Sequence, residues 1–161
     1  MGLVQIVVCF SALLAIAFSA CPTGWKHHAG KCYKFSTGKQ NWVDARSMCK
    51  FHNSDLIEIE TDTEQHWVRQ QALKFNHTDL DDGFWIGGTD WGNEGTWIWE
   101  PSQTPISYIV WGQGQPNNRN NSENCLASMK YFDYIWSDEF CDWDRLQYIC
   151  EMADTSGPIV G

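Results

Sequence analysis

Hydrophobic and polar positions alternate with three distinct textures along this chain. From Gly2 to Ala20 almost every residue is apolar or small, with an apolar stretch around Val4 to Phe18 and small residues at Ala15, Ala17, Ser19 and Ala20. That pattern predicts a signal peptide over residues 1–20. Its lack of Lys or Arg is atypical, and the competing reading is an uncleaved anchor, which so short an apolar run disfavours. No second run of membrane-spanning length follows. Beyond Cys32, a polar stretch leads to Asn41, and Trp42, Ala45, Met48, Cys49 and His52 then recur at helical spacing. They predict an amphipathic helix of about three turns. Thr61 with Glu64 forms a capping-box pattern ahead of the stripe Trp67, Val68, Ala72 and Phe75, which predicts a second helix.

From Phe84 onward the texture changes to short aromatic and β-branched runs: Phe84-Trp85-Ile86, Thr96-Trp97-Ile98-Trp99, Tyr131 to Trp136 and Gln147-Tyr148-Ile149. Gly, Pro, Asn and Asp separate them, so they read as strands following helices, an α+β order. Between Glu100 and Cys125 lies a long segment with Pro101 and Pro105 flanking Ser102-Gln103-Thr104, and with the run Asn117-Asn118-Arg119-Asn120-Asn121. A loop of this length inside a compact domain usually carries function. Residues 152–161 show no periodicity and are expected to form a loose tail, which leaves residues 21–151 as one domain.

Charge narrows the partners. The 161 residues carry 11 basic and 20 acidic side chains, a net charge of −9, so long-range repulsion opposes nucleic acid and anionic membranes. Ten tryptophans point to a core built from large rings. Of seven cysteines Cys9 lies in the leader, leaving Cys21, Cys32, Cys49, Cys125, Cys141 and Cys150 for an oxidising compartment. No C-x2-C pair suggests zinc. Spacing alone leaves about 15 pairings open for six cysteines.

The candidate chemistry sits between Gln115 and Asp138, where Gln115, Asn117, Glu123, Asn124, Ser137 and Asp138 all offer oxygen. Carboxylates mixed with amides favour a hard cation, and Ca2+ accepts six to eight such ligands at irregular geometry. A cis bond before Pro116 would turn the two flanking side chains toward one point. Two other readings compete. Asn, Gly and Asp also form ordinary turns, and Glu123 with Asp138 could be a glycosidase carboxylate pair. Amides crowding both acids favour a ligand cage over catalysis, and no nucleophile–base pattern is present. His27, His28, His52, His66 and His77 have no ligand spacing and read as surface or packing residues.

The chain resembles the C-type lectin domain from about Cys21 to Glu151. The matching residues are Cys21-Pro22-Thr23-Gly24-Trp25 with Cys32-Tyr33, Trp42 to Cys49, Trp85-Ile86-Gly87-Gly88, Trp111 to Asn117, Glu123-Asn124-Cys125, Trp136-Ser137-Asp138 and Cys150-Glu151. The resemblance implies an α+β fold of two helices, antiparallel sheets and a long loop. It also implies the disulfides Cys21–Cys32, Cys49–Cys150 and Cys125–Cys141. By position, its sugar-binding calcium site would use Gln115, Asn117, Glu123, Ser137 and Asp138. A second calcium position would draw on Asp90, Glu94, Asn118 and Asn124, with the Glu123 backbone.

Two departures from the family pattern matter. Gln115 stands where the family's sugar triplet commonly has Glu, and Ser137 stands where its second motif usually has Asn. Fewer anionic ligands imply weaker calcium binding, and Ser137 is short. Gln115-Pro116-Asn117 is neither the mannose-type nor the galactose-type triplet. Its two amides each offer donor and acceptor, which predicts mixed selectivity. Trp143 or Tyr134 could stack on a sugar, with core burial the competing role. Asn76-His77-Thr78 and Asn120-Asn121-Ser122 are glycosylation sequons, and a glycan on Asn120 would crowd the loop.

These expectations amount to a secreted carbohydrate-binding protein, not an enzyme, that uses Ca2+ in glycan or pathogen recognition of the innate-immune kind. Useful avidity would call for a homo-oligomer. The rival is a calcium-independent lectin-like module that binds a protein, mineral or ice surface.

Overall fold

The computed structural model describes residues 21–154; the expected signal peptide and the tail beyond Asp154 lie outside the described residues. Two short strands open the domain, β1 (Lys26–His28) and β2 (Lys31–Phe35). Helix α1 (Trp42–Phe51), strand β3 (Asp55–Leu56) and helix α2 (Asp62–Ala72) follow. Strands β4 (Gly83–Thr89), β5 (Ile98–Trp99), β6 (Thr104–Pro105), β7 (Glu123–Met129), β8 (Ile135–Phe140) and β9 (Gln147–Ala153) complete it. The expected order of strands after helices is therefore corrected, because β1 and β2 precede both helices. Strand β9 reaches Ala153, so the domain extends past the boundary expected at Glu151.

Both helices start where their caps place them. The Asn41 side chain accepts the Asp44 N–H at 2.8 Å, and Thr61 Oγ1 accepts the Glu64 N–H at 3.2 Å. The return arm of the second cap goes one residue further back than expected, since Glu64 Oε2 accepts the Glu60 N–H at 3.1 Å. Each helix buries its apolar stripe: Trp42, Ala45 and Cys49 from α1, Val68 and Ala72 from α2. Met48 is half exposed and His52 caps the end of α1, so neither belongs to the core.

The sheet is mixed. β2 pairs β9 antiparallel and β7 pairs β4 and β8 antiparallel, but β4 and β9 run parallel, with Phe84 opposite Gln147 and Trp85 opposite Tyr148. The expected antiparallel pairings are present, and one parallel pair is added where the last strand returns beside the middle of the sheet. The Tyr131 to Trp136 run is not one strand. Lys130–Phe132 is a 3-10 turn, and Asp133 and Tyr134 take left-handed backbone before β8 begins.

Large rings fill the core, as the ten tryptophans predict. Trp85, Trp99 and Trp136 are buried, and Trp99 and Trp136 meet edge to face at 5.7 Å. Trp42 Nε1 donates to the Ile86 carbonyl, Trp85 Nε1 to the Gln40 carbonyl and Trp136 Nε1 to Gln65 Oε1, whereas Trp97 Nε1 is buried without a partner. Tyr134 belongs to this core, 3% exposed. The three disulfides pair as the resemblance implies. Cys49–Cys150 spans a sequence separation of 101 residues and, by loop entropy, stabilises the fold by about 4.7 kcal/mol.

Candidate functional site

The segment between β6 and β7 is held on the sheet by Trp111, which forms a parallel bridge with Trp136 and packs edge to face on Trp97 at 5.1 Å. Gly112 follows against the ring of Phe132. A Cβ at Gly112 would lie 2.5 Å from that ring, so only glycine lets the loop come this close. The Gln115 N–H donates back to the Gly112 carbonyl at 3.0 Å, and the Gln115–Pro116 peptide is cis. Gln115 and Asn117 then meet directly, with Asn117 Nδ2 donating to Gln115 Oε1 at 2.8 Å.

Two carboxylates gather the next turn. Asp138 Oδ1 accepts the Asn117 N–H at 2.9 Å and Oδ2 the Asn118 N–H at 2.6 Å, while Glu123 Oε2 accepts the Arg119 N–H at 2.8 Å. Asn118 Oδ1 in turn accepts the Glu123 N–H at 3.2 Å. Asn118, Asn120 and Asn121 all have positive φ. Asparagine tolerates that region better than most residues, which accounts for the run of asparagines in the sequence.

Gln115, Asn117 and Glu123 line one shallow hollow of about 270 Å³ with Asp81, Arg119, Tyr131, Glu139 and Trp143. Asp138 stands behind it, bonded to the loop backbone. Ser137 is fully buried and does not line the hollow; its hydroxyl donates to Glu139 Oε1 at 2.9 Å. Of the two aromatic candidates, Trp143 reaches the hollow and Tyr134 does not.

Burial pushes the Glu139 carboxyl up to about 7, against the lowering effect of hydrogen bonds from Tyr131 and Ser137. Burial also raises Glu123, opposed by the Arg119 N–H and reinforced by the charge of Asp138. Among the described residues no group of three His, Cys, Asp or Glu side chains is placed to hold a metal ion. A cation here would therefore rely on amide oxygens as well as carboxylates.

The second set is assembled in part. Asp90 follows β4 and is 2% exposed; its Oδ2 accepts the Gly95 N–H at 2.8 Å, while Oδ1 is buried without a partner. The Asn124 carbonyl accepts the Thr89 hydroxyl and the Asp90 N–H, which brings the β4 end against β7. Glu94 is exposed in the loop after Asp90, and its charge adds to burial in raising the Asp90 carboxyl. A buried carboxylate oxygen with no donor is the kind of atom that a cation satisfies.

Sequence reading missed Glu139, Tyr131, Asp81 and Arg119 as walls of the hollow. For Glu139 the signal was present: strand alternation puts it on the same face as Ser137. Both sequon asparagines, Asn76 and Asn120, are exposed. His77 is a packing residue, its Nδ1 2.9 Å from the Tyr134 hydroxyl.

A family model described as "Lectin C-type domain" matches residues 38–152. The chain is 38% identical over 130 residues to a perlucin-like protein of Mytilus galloprovincialis, covering 81% of each. Among solved structures, the mouse scavenger receptor C-type lectin carbohydrate-recognition domain matches with a TM-score of 0.73 at 32% identity, over 83% of this chain and 98% of that one. A calcium-independent type II antifreeze protein matches with a TM-score of 0.70 at 26% identity, over 83% of this chain and 94% of that one.

Proposed function

The chain belongs to the C-type lectin domain family, and on that premise we propose that it is a secreted, non-enzymatic lectin that recognises sugar hydroxyls through a calcium ion held at the Gln115–Asn117–Glu123 hollow. The convergence of those three oxygen-bearing side chains on one hollow carries the reading. The donor set is all oxygen and mixes amides with carboxylates, which fits Ca2+. Calcium bound there would supply open coordination positions for a vicinal pair of sugar hydroxyls.

The chain's own residues do the rest. Gln115 and Asn117 offer both NH2 and carbonyl groups to the hydroxyls, so they impose no single donor order and admit mannose-type and galactose-type sugars alike. Asp138 holds the Asn117 and Asn118 backbone in place and keeps lone pairs for the ion, while Ser137 acts through Glu139. Trp143 offers a ring face at the rim. Asp90, Glu94, Asn118 and Asn124 would form a second calcium position, for which the unpaired Asp90 oxygen is the support. Secretion rests on the leader over residues 1–20, and among the described residues no helix is long and apolar enough to cross a membrane. Glycans on Asn76 and Asn120, avidity through a homo-oligomer, and innate-immune glycan recognition belong to the same proposal.

One observation favours a second reading. Both oxygens of Asp138 and the hydroxyl of Ser137 are already bonded within the protein, as a calcium-independent module binding a protein, mineral or ice surface would allow. Calorimetric titration of Ca2+ into the chelator-stripped secreted protein, alone and with mannose or galactose, separates the two. Saturable calcium binding that sugar tightens is expected. Absence of calcium binding at millimolar concentration would sink the first reading and leave the second.

A further inference from the structure

Ser137 is the weak point of the proposed calcium site, and the structure shows which acid its hydroxyl meets. Ser137 and Glu139 alternate onto one face of β8, and the Ser137 hydroxyl touches Glu139 Oε1 at 2.9 Å. The Glu139 carboxylate is therefore the acid that the short Ser137 side chain meets on that face. That carboxylate lines the same hollow as Gln115, Asn117 and Glu123.

Glu139 is only 7% exposed. Its Oε1 is held by two hydroxyls, Tyr131 at 2.8 Å and Ser137 at 2.9 Å, whereas Oε2 accepts no hydrogen bond among the described residues. No Lys, Arg or His within the described residues forms an ion pair with it, although Arg119 lines the same hollow. The carboxylate is thus clamped on one oxygen and presents the other to the hollow beside Glu123, where it is free to meet a cation.

We propose that Glu139 is a direct calcium ligand of this site, supplying from two residues further along the strand the oxygen that Ser137 is too short to present. The inference rests on the calcium reading above. It sets a second glutamate beside Glu123 in a hollow that the Gln115 and Asn117 amides and the Asp81 carboxylate also line. Tyr131 and Ser137 then become positioning residues that aim the carboxylate.

The test is calcium calorimetry on the full secreted protein and on Glu139→Gln, Ser137→Ala and the double variant Ser137→Asn/Glu139→Gln. Terbium luminescence, sensitised by the nearby Trp143, gives a second readout that needs no sugar. Glu139→Gln is expected to weaken calcium by at least ~10-fold, Ser137→Ala by less than ~3-fold, and the double variant to recover much of the loss, because ligand charge and reach set the affinity. Urea unfolding in chelator checks that each variant is folded. Should Glu139→Gln bind calcium as the parent does, or should Ser137→Ala prove the damaging change, the inference falls while the lectin reading stands. Failure of the parent protein to bind calcium overturns both.

Discussion

Two regions of this domain bury carboxylates, and they treat them differently. Where β2, α2 and β9 meet, Glu64 and Glu151 share the Lys31 ammonium, at 3.5 and 3.0 Å, and the Tyr33 hydroxyl donates to Glu64 at 2.6 Å. At the loop end of the sheet, Glu123, Asp138 and Glu139 receive backbone N–H groups and hydroxyls, but form no ion pair among the described residues. The first cluster is closed by a cation the chain carries; at the second the Arg119 charge acts on Glu123 without an ion pair, and it is there that we propose a cation from outside. On the proposed calcium reading, buried acids mark structure in one place and binding in the other, and a built-in ammonium tells them apart.

Removing that ammonium should break the contrast most severely. Lys31→Met leaves Glu151 buried without its partner and is expected to destabilise the protein by about 3 kcal/mol in urea unfolding, while calcium affinity of the folded fraction is unchanged. Gly112→Ala attacks the other region: overpacking against Phe132 should lower stability by about 2 kcal/mol and weaken calcium binding, whereas the Lys31 cluster keeps its hydrogen-exchange protection. Asp138→Asn should speed amide exchange at Asn117 and Asn118 and weaken calcium about tenfold, near 1.4 kcal/mol. Unchanged exchange at those two amides would refute the role given to Asp138.

The smallest effect concerns pH. Burial pushes Glu151 up to about 7, outweighing the pull of Lys31. A carboxyl whose folded value is raised contributes stability that is full below its unfolded value near 4.5 and is lost as pH rises through about 7. In chelator, therefore, the melting temperature should fall by roughly 3 °C between pH 5.5 and 8, and Glu151→Gln should remove part of that slope, the rest coming from Glu139, which burial raises to about the same value. Calcium binding should move the opposite way, weakening as pH falls toward the range where the loop carboxylates protonate. Parallel pH profiles would remove the distinction between the regions.

Much of this was legible in the sequence where local chemistry decides structure. Asn41 and Thr61 cap the helices they announce, and Gln115, Asn117 and Glu123 converge as the oxygen-rich motif suggests. The aromatic run from Tyr131 to Trp136 misled, because ring-rich composition resembles a strand while left-handed backbone at Asp133 and Tyr134 leaves no apolar signature. β1 and β2 were hidden by their Lys and His content, since β1 is held by pairing with β2, and β2 with β9, rather than by their own pattern. Glu139 was overlooked because its importance depends on the length of its neighbour Ser137, although strand alternation already puts the two on one face.

The pairing of β2 with β9 has a practical corollary. Lys31 lies opposite Ala153, the Asp154 N–H donates to the Gly30 carbonyl at 2.9 Å, and Cys21 is tied to Cys32 on the same strand. Both ends of the folded unit therefore emerge side by side on strands that contribute no residue to the hollow. A tether, fluorophore or multimerising handle joined at either terminus would mount the domain by that edge without touching a residue of the hollow, a route to display on a bead or array.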